Sequence, residues 1–173
     1  MLPKTMILLF LILESGHNMK LIAHRGLVNG PDSNLENLPG QILQSLQAGY
    51  DCEIDVRYID NKWMLGHDNP DFEVPFKFLK QSGLWIHAKN LEALRWLTYT
   101  SLYYFWHEND QFTLTSNKFI WTYPGKELTS NSVMVLPEWH DPEFKKISTK
   151  CYGICSDYVA TIKDIIANDQ SQQ

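Results

Sequence analysis

Short apolar runs, rich in β-branched and aromatic residues, alternate along the chain with polar or charged clusters. Eight of these runs predict β-strands, namely Lys20–Ala23, Cys52–Val56, Trp63–Leu65, Leu84–Ala88, Leu102–Trp106, Phe119–Thr122, Val133–Leu136 and Tyr152–Cys155. Three segments between them have helical spacing and cap or stop residues, namely Leu38–Ala48 with Asn37 and Gly49, Leu91–Tyr99 with Asn90, and Tyr158–Ala167 with Asp157. Strands that alternate with helices favour the α/β class with a parallel sheet.

Polar clusters follow the predicted strands, at the edge where α/β sheets and βα barrels bind their ligands. All but one of the histidines lie at or just beyond a predicted strand end, namely His24, His67, His87, His107 and His140. The chain has 173 residues, whereas an eight-unit barrel takes about 250. We therefore predict a reduced TIM-type (β/α) barrel in which several outer helices are shortened or missing.

Residues 1–18 form a leader of doubtful status, and residues 19–173 are long enough for one domain with a real core. The leader contains the apolar run Met6–Leu13, which is too short to cross a bilayer and is followed by no small-x-small cleavage site. Three interpretations stay open: a start at Met19, a weak signal or anchor, and a structured extension. The first predicts a cytoplasmic protein, and the second an exported one.

The charge balance is acidic, with 15 Lys and Arg against 20 Asp and Glu and a net charge of −5. Since no stretch is rich in Lys and Arg, we expect no nucleic-acid partner, and the short leader run predicts no stable membrane span. Cys52, Cys151 and Cys155 have no CxxC spacing, so we expect reduced, buried thiols.

Two acids on one predicted strand are the first candidates for chemistry. Glu53 and Asp55 are two residues apart, so both side chains point to the same face of the strand. Cys52, Ile54 and Val56 alternate with them and predict that the other face is buried against helices. At the end of a strand, on the inner face, the two acids would bind a hard divalent cation, Mg²⁺ or Ca²⁺.

His24 and Arg25 directly follow the first predicted strand, and His67 and Asp68 form a similar pair further on. Imidazoles transfer protons near neutral pH, and the cations Arg25 and Lys89 can bind phosphate oxygens. Two histidines, two acids and two cations at one rim suit cleavage of a phosphodiester, with one imidazole activating the nucleophile and the other protonating the leaving alkoxide.

These motifs resemble the glycerophosphodiester phosphodiesterase family, whose HRG, PEN-T, ExD and HD motifs run in the same order. The matching segments over residues 20–70 are Leu21–Gly26, Leu35–Asn37, Glu53–Val56 and His67–Asp68. Two weaker matches follow, Ile86–Lys89 and Gly153–Tyr158.

The resemblance implies a TIM-type barrel of the phospholipase C-like phosphodiesterase superfamily, which hydrolyses a small glycerophosphodiester-like molecule with the help of a metal. It also implies roles for residues of this chain: His24 and His67 as the acid–base pair, Arg25 and Lys89 as phosphate-binding residues, Glu53 and Asp55 as metal ligands, and Glu36 and Asp68 as supporting residues.

This chain departs from the family pattern at His87, where the family has a metal-binding glutamate. The third metal ligand is then either His87 itself or Glu108. Two other functions stay open: a phosphate-binding relative with weakened catalysis, and a phospholipase C-like lyase that forms a cyclic phosphate. The sequence leaves open the alcohol groups of the substrate, the choice between Mg²⁺ and Ca²⁺, and the oligomeric state.

Overall fold

A mixed sheet forms the centre of the protein in the computed structural model, which describes residues 19–145, 147–148 and 150–171. Its ten strands are β1 (Lys20–Ala23), β2 (Asp51–Ile59), β3 (Lys62–Leu65), β4 (Phe72–Val74), β5 (Leu84–Ala88), β6 (Tyr104–Phe105), β7 (Phe112–Leu114), β8 (Ile120–Thr122), β9 (Ser132–Val135) and β10 (Gly153–Ser156). The described helices are α1 (Pro39–Gln47), α2 (Leu91–Leu97) and α3 (Val159–Ser171), with 3₁₀ turns at His24–Gly26, Phe78–Lys80 and Pro137–Trp139. The predictions for residues 1–18 lie outside the described residues.

The parallel part of the sheet has the order β6-β5-β2-β1-β10-β9-β8. The strand β7 pairs antiparallel with β8, and the β3–β4 hairpin extends the outer half of β2. The sheet curls into a half-barrel, and the backbone N–H of Ser116 in the β7–β8 turn donates to the carbonyl of Tyr104 in β6 at 2.9 Å. The curl brings the carboxyl ends of the parallel strands around one shared space.

The predicted TIM-type barrel is wrong, although the α/β class holds. Among the described residues, helices follow only β1, β5 and β10, and the other strands are joined by hairpins and irregular segments. Two of these segments contain strands that the pattern did not predict, Phe72–Val74 and Phe112–Leu114. Both are short and half-exposed, so they carry too little apolar periodicity to be read as strands, and the segments are too short for an outer ring of helices.

Two apolar layers cover the two faces of the sheet. On the outer face, Ile54 and Ile86 are fully buried in the layer beneath the helices. On the inner face, aromatic side chains fill the base of the curl: Trp85, Phe105 and Trp121 are all buried, and the last two rings stack at 4.4 Å. The polar side chains near the strand ends therefore lie above a floor of aromatic rings.

One of the three predicted helix caps is confirmed. The side chain of Asn90 accepts a hydrogen bond from the backbone N–H of Ala93 at 3.0 Å and caps α2. Asn37 and Asp157 each lie two residues before their helix begins, outside the capping position. Both side chains instead make tertiary contacts near the carboxyl ends of the strands.

The three cysteines are buried free thiols, as the sequence predicts. No helix in the described part of the chain combines the length and the apolar character needed to cross a membrane.

Gly66 has a backbone that only glycine adopts readily, with φ of +139°, and a Cβ built on it would lie 2.0 Å from the carbonyl oxygen of Asn69. We predict that Gly66→Ala lowers the free energy of unfolding by about 1–3 kcal/mol, measured by urea denaturation, because strain of this kind costs that much. The control is Gly40→Ala in α1, where the added Cβ meets no atom within 4 Å and the stability should rise by about 0.4–1 kcal/mol. Equal stability of the two variants would contradict this account of Gly66.

Candidate functional site

A cavity of about 390 Å³ opens at the carboxyl ends of β1, β2 and β5. Most of the predicted site residues line it, namely His24, Arg25, Glu53, Asp55, His67, His87, Lys89 and Glu108. The two supporting residues contact it indirectly, because Glu36 binds Arg25 and Asp68 binds His67. The fold therefore brings the predicted residues together in one place.

The carboxylates come from the inner face of β2. Glu53 and Asp55 are 2% and 1% exposed, although both are acids. Cys52, Ile54 and Val56 point to the opposite face and are fully buried, as the alternation predicts. In the register of the parallel pair β2–β5, His87 lies directly beside Asp55.

Glu53, Asp55 and His87 form a buried group that could hold a metal ion, since their ligand atoms lie within 4.8 Å of one another. Nδ1 of His87 is 3.1 Å from Oδ1 of Asp55 and 3.7 Å from Oε1 of Glu53. Glu108, the other candidate for the third ligand, is an exposed residue of the cavity wall outside this group. The structure thus brings His87, and not Glu108, to the two acids.

The orientation of the His87 ring is set by two contacts. Its Nε2 lies 2.9 Å from the backbone carbonyl oxygen of His107. Because a carbonyl oxygen only accepts, Nε2 must carry the hydrogen. The ring also stacks on Phe105, with centroids 4.9 Å apart and planes 12° apart. Nδ1 therefore faces the carboxylates, and its short contact with Asp55 requires either a proton or a metal cation between them.

The two carboxylates differ in their electrostatic surroundings. Burial and the charge of Asp55 raise the pKa of Glu53. Burial would also raise the pKa of Asp55, but the hydrogen bond and charge of His87 and the positive charges of Arg25 and Lys89 hold that pKa well below its usual range. Nε of Arg25 lies 3.4 Å from Oδ2 of Asp55, and Nζ of Lys89 lies 3.7 Å from Oδ1. Asp55 is thus the more strongly ionised member of the pair.

His24 is held by a carboxylate behind it. Its Nδ1 lies 2.8 Å from Oδ1 of Asp157, and its Nε2 lies 4.0 Å from Oε2 of Glu53. Burial alone would lower the pKa of His24, but the hydrogen bond to Asp157 and the charge of Glu53 raise it overall. Asp157, which the sequence analysis assigned to a helix cap, is therefore the partner that orients this imidazole.

His67 has a similar but more exposed arrangement. Its Nδ1 lies 2.7 Å from Oδ1 of Asp68, and burial, aided by nearby cations, lowers the pKa of His67. The guanidinium of Arg57 donates to the carbonyl of Gly66 and, at 2.6 Å, to the carbonyl of His67. The loop that carries His67 is thereby fixed to β2.

Arg25 is positioned by its backbone as well as by its side chain. Its left-handed φ of 52° lets its backbone N–H donate to Oε2 of Glu53 at 3.1 Å. Its guanidinium donates to Glu36 at 2.6 Å. Arg25 therefore reaches the cavity already paired with Glu36.

Asn37 is a site residue that the sequence analysis assigned to a helix cap. Its Nδ2 donates to Oδ2 of Asp55, and its Oδ1 accepts from the backbone N–H of Asp55, both at 2.9 Å. The side chain is fully buried. Its place in the segment that resembles the PEN-T motif was the signal for a role at the site.

Two further residues were missed. Arg57 lies two residues after Asp55 on β2, so its position on the inner face follows from the same alternation. Glu138 has no such signal, because its carboxylate accepts from the hydroxyl of Ser156 and the backbone N–H of Asp157 at 2.9 and 3.0 Å, almost twenty residues further along the chain. Glu138 holds the turn that presents Asp157 to His24.

Aromatic side chains form the remaining wall of the cavity. Trp106, Trp121 and Trp139 line it, and Trp139 is 62% exposed. The ring of Trp63 stacks on Phe76.

Comparisons with known proteins do not identify a family for this chain. No protein-family model, curated protein or solved structure matches it. The resemblance of residues 20–70 to glycerophosphodiester phosphodiesterases therefore stays a prediction, carried by the motifs themselves.

We predict that Asn37→Ala lowers the free energy of unfolding by about 1–3 kcal/mol, because it leaves the buried N–H and carboxylate of Asp55 without their partner. Urea denaturation measures the change. The matched control is Asn34→Ala, since Asn34 is exposed and its side chain donates a hydrogen bond to Asp32 in its own turn. An Asn37 variant as stable as the Asn34 variant would show that Asp55 does not depend on this amide.

Proposed function

We propose that this protein is a metal-dependent phosphodiesterase that hydrolyses a small phosphodiester of the glycerophosphodiester type. The observation that carries the proposal is a shared cavity. His24 and His67, each oriented by an aspartate, open into the same space as the group of Glu53, Asp55 and His87. Metal ligands and proton-transfer groups thus lie around one volume large enough for a small diester.

The residues fit the binding of a phosphodiester anion. Arg25 and Lys89 line the cavity, and both cations can hold non-bridging phosphate oxygens. A dication bound by Glu53, Asp55 and His87 would polarise a phosphoryl oxygen and stabilise the charge that develops on it.

The two histidines supply proton transfer. The aspartate at Nδ1 of each ring fixes the tautomer, so that Nε2 is the nitrogen that exchanges a proton with substrate. One imidazole takes a proton from the attacking water as the new P–O bond forms. The other donates a proton to the alkoxide as the ester P–O bond breaks, and the products are a phosphomonoester and an alcohol. Attack by a neighbouring hydroxyl of the substrate would use the same two rings and give a cyclic phosphate.

One observation favours a second candidate, a phosphate-binding protein without catalysis. Arg25, Lys89 and His87 already lie within 4 Å of Asp55 and offset the carboxylate charge without a metal. Such a protein would bind inorganic phosphate but would not turn over a diester.

We predict that the full chain hydrolyses an activated aryl phosphodiester and glycerophosphodiesters in the presence of a divalent cation, and that a chelator abolishes turnover. His24→Ala and His67→Ala should each lower kcat by about 10²–10⁴-fold, the usual contribution of general acid–base catalysis. Glu53→Gln should remove the metal dependence together with the activity. The control is His140→Ala, whose imidazole lies outside the cavity, 3.1 Å from the carbonyl oxygen of Pro124, and whose kcat should match that of the wild type.

Wild-type rates equal to those of His24→Ala with every cation and both substrate types would overturn the hydrolytic proposal. Retained phosphate binding in that case would favour the non-catalytic protein. A cyclic phosphate detected by ³¹P NMR as the product would favour the lyase.

A further inference from the structure

His87 adds a nitrogen ligand to the metal-binding group, and the ligand type decides which metals the group binds most tightly. We infer that Glu53, Asp55 and His87 select a first-row transition dication such as Mn²⁺, Co²⁺ or Zn²⁺ over Mg²⁺ and Ca²⁺, which the sequence analysis expected. The inference rests on the metal site of the proposed function and specifies its cofactor.

The donor atoms are the first argument. The group offers two carboxylates and one imidazole nitrogen. Mg²⁺ and Ca²⁺ take oxygen ligands, whereas imidazole suits the later first-row metals, whose affinity for nitrogen rises along the series from Mn²⁺ to Cu²⁺. A nitrogen donor thus adds binding free energy for transition metals and almost none for alkaline-earth ions.

The fixed ring of His87 is the second argument. Nε2 donates to the carbonyl of His107 at 2.9 Å, and the ring stacks on Phe105. Turning the ring away from the carboxylates would break this hydrogen bond and the stacking together. Nδ1 is therefore held towards Glu53 and Asp55, where a bound metal would take the place of a proton. The contact of Nε2–H with a backbone carbonyl is one that metal-binding histidines commonly make.

The charge around the group is the third argument. Two carboxylates balance one dication, while Arg25 and Lys89 lie 3.4 and 3.7 Å from Asp55 and reduce the attraction for any cation. Affinity for Ca²⁺ depends on the number of charged ligands, so a site with two acids and two nearby cations is weak for alkaline-earth ions. The metal–nitrogen bond must then supply much of the affinity.

The test is direct binding of each cation to the full chain without substrate, by isothermal titration and by competition. We expect Mn²⁺, Co²⁺ and Zn²⁺ to bind about tenfold or more tightly than Mg²⁺ and Ca²⁺. His87→Glu restores an all-oxygen set, and this variant should lose most of that preference and bind Mg²⁺ or Ca²⁺ more tightly than the wild type does. His140→Gln, a histidine outside the cavity, controls for binding of transition metals to other imidazoles.

A spectroscopic readout reports the nitrogen itself. Pulsed electron paramagnetic resonance of bound Mn²⁺ should show ¹⁴N coupling in the wild type and in His140→Gln. The coupling should be absent in His87→Glu. It should also be absent in His87→Gln, whose neutral side chain provides the same test if the glutamate variant fails to fold.

Equal affinity of the wild type for Mg²⁺ and Mn²⁺, failure to bind any dication, or absence of ¹⁴N coupling would overturn the inference. Selective binding with ¹⁴N coupling but without hydrolysis would support the inference and overturn the proposed function alone.

Discussion

The burial of two carboxylates side by side on one strand is the constraint around which the structure is organised. Removing an ionised acid from water costs several kcal/mol unless hydrogen bonds and opposite charges replace the water. Asn37 and the ring of His87 provide this for Asp55, and the backbone of Arg25 does so for Glu53. Arg25 and Asn37 belong to the segment between β1 and α1, and His87 belongs to β5, so the acids hold this segment, β2 and β5 in one arrangement. A bound dication would complete the same compensation.

The helices pack against the part of the sheet that carries the buried acids. α1 packs against β2, α2 against β2, β5 and β6, and α3 against β1 and β10. The strands β5, β2, β1 and β10 are neighbours in the sheet. Glu53, Asp55 and His87 lie on these strands and His24, Arg25, Lys89 and Asp157 directly follow them, whereas His67 follows β3. The strands β8 and β9 contribute mainly apolar and aromatic wall and are connected by irregular segments. A full ring of helices is therefore not needed to hold the polar side chains in position.

The period of two along β2 predicted the inner face of Glu53 and Asp55, and the same period contains Arg57. Such local patterns failed where a side chain bonds to a distant segment. Asn37 reaches Asp55, 18 residues away, and Asp157 reaches His24, 133 residues away. Both residues have the polar side chain of a helix cap and precede a helix, but each lies one residue before the capping position and bonds to a tertiary partner instead. The half-barrel could not be predicted either, because the pairing of short strands is decided by contacts that no local pattern contains.

The strand β1 lies between β2 and β10, so the first described strand pairs with the last. Contacts of such long sequence separation form late, because the entropy of closing the intervening chain has to be overcome first. A chain emerging from the ribosome can place His24 beside Glu53 once β2 has been made, but it lacks Asp157 until β10 has been made. The orientation of the His24 imidazole is therefore acquired at the end of folding.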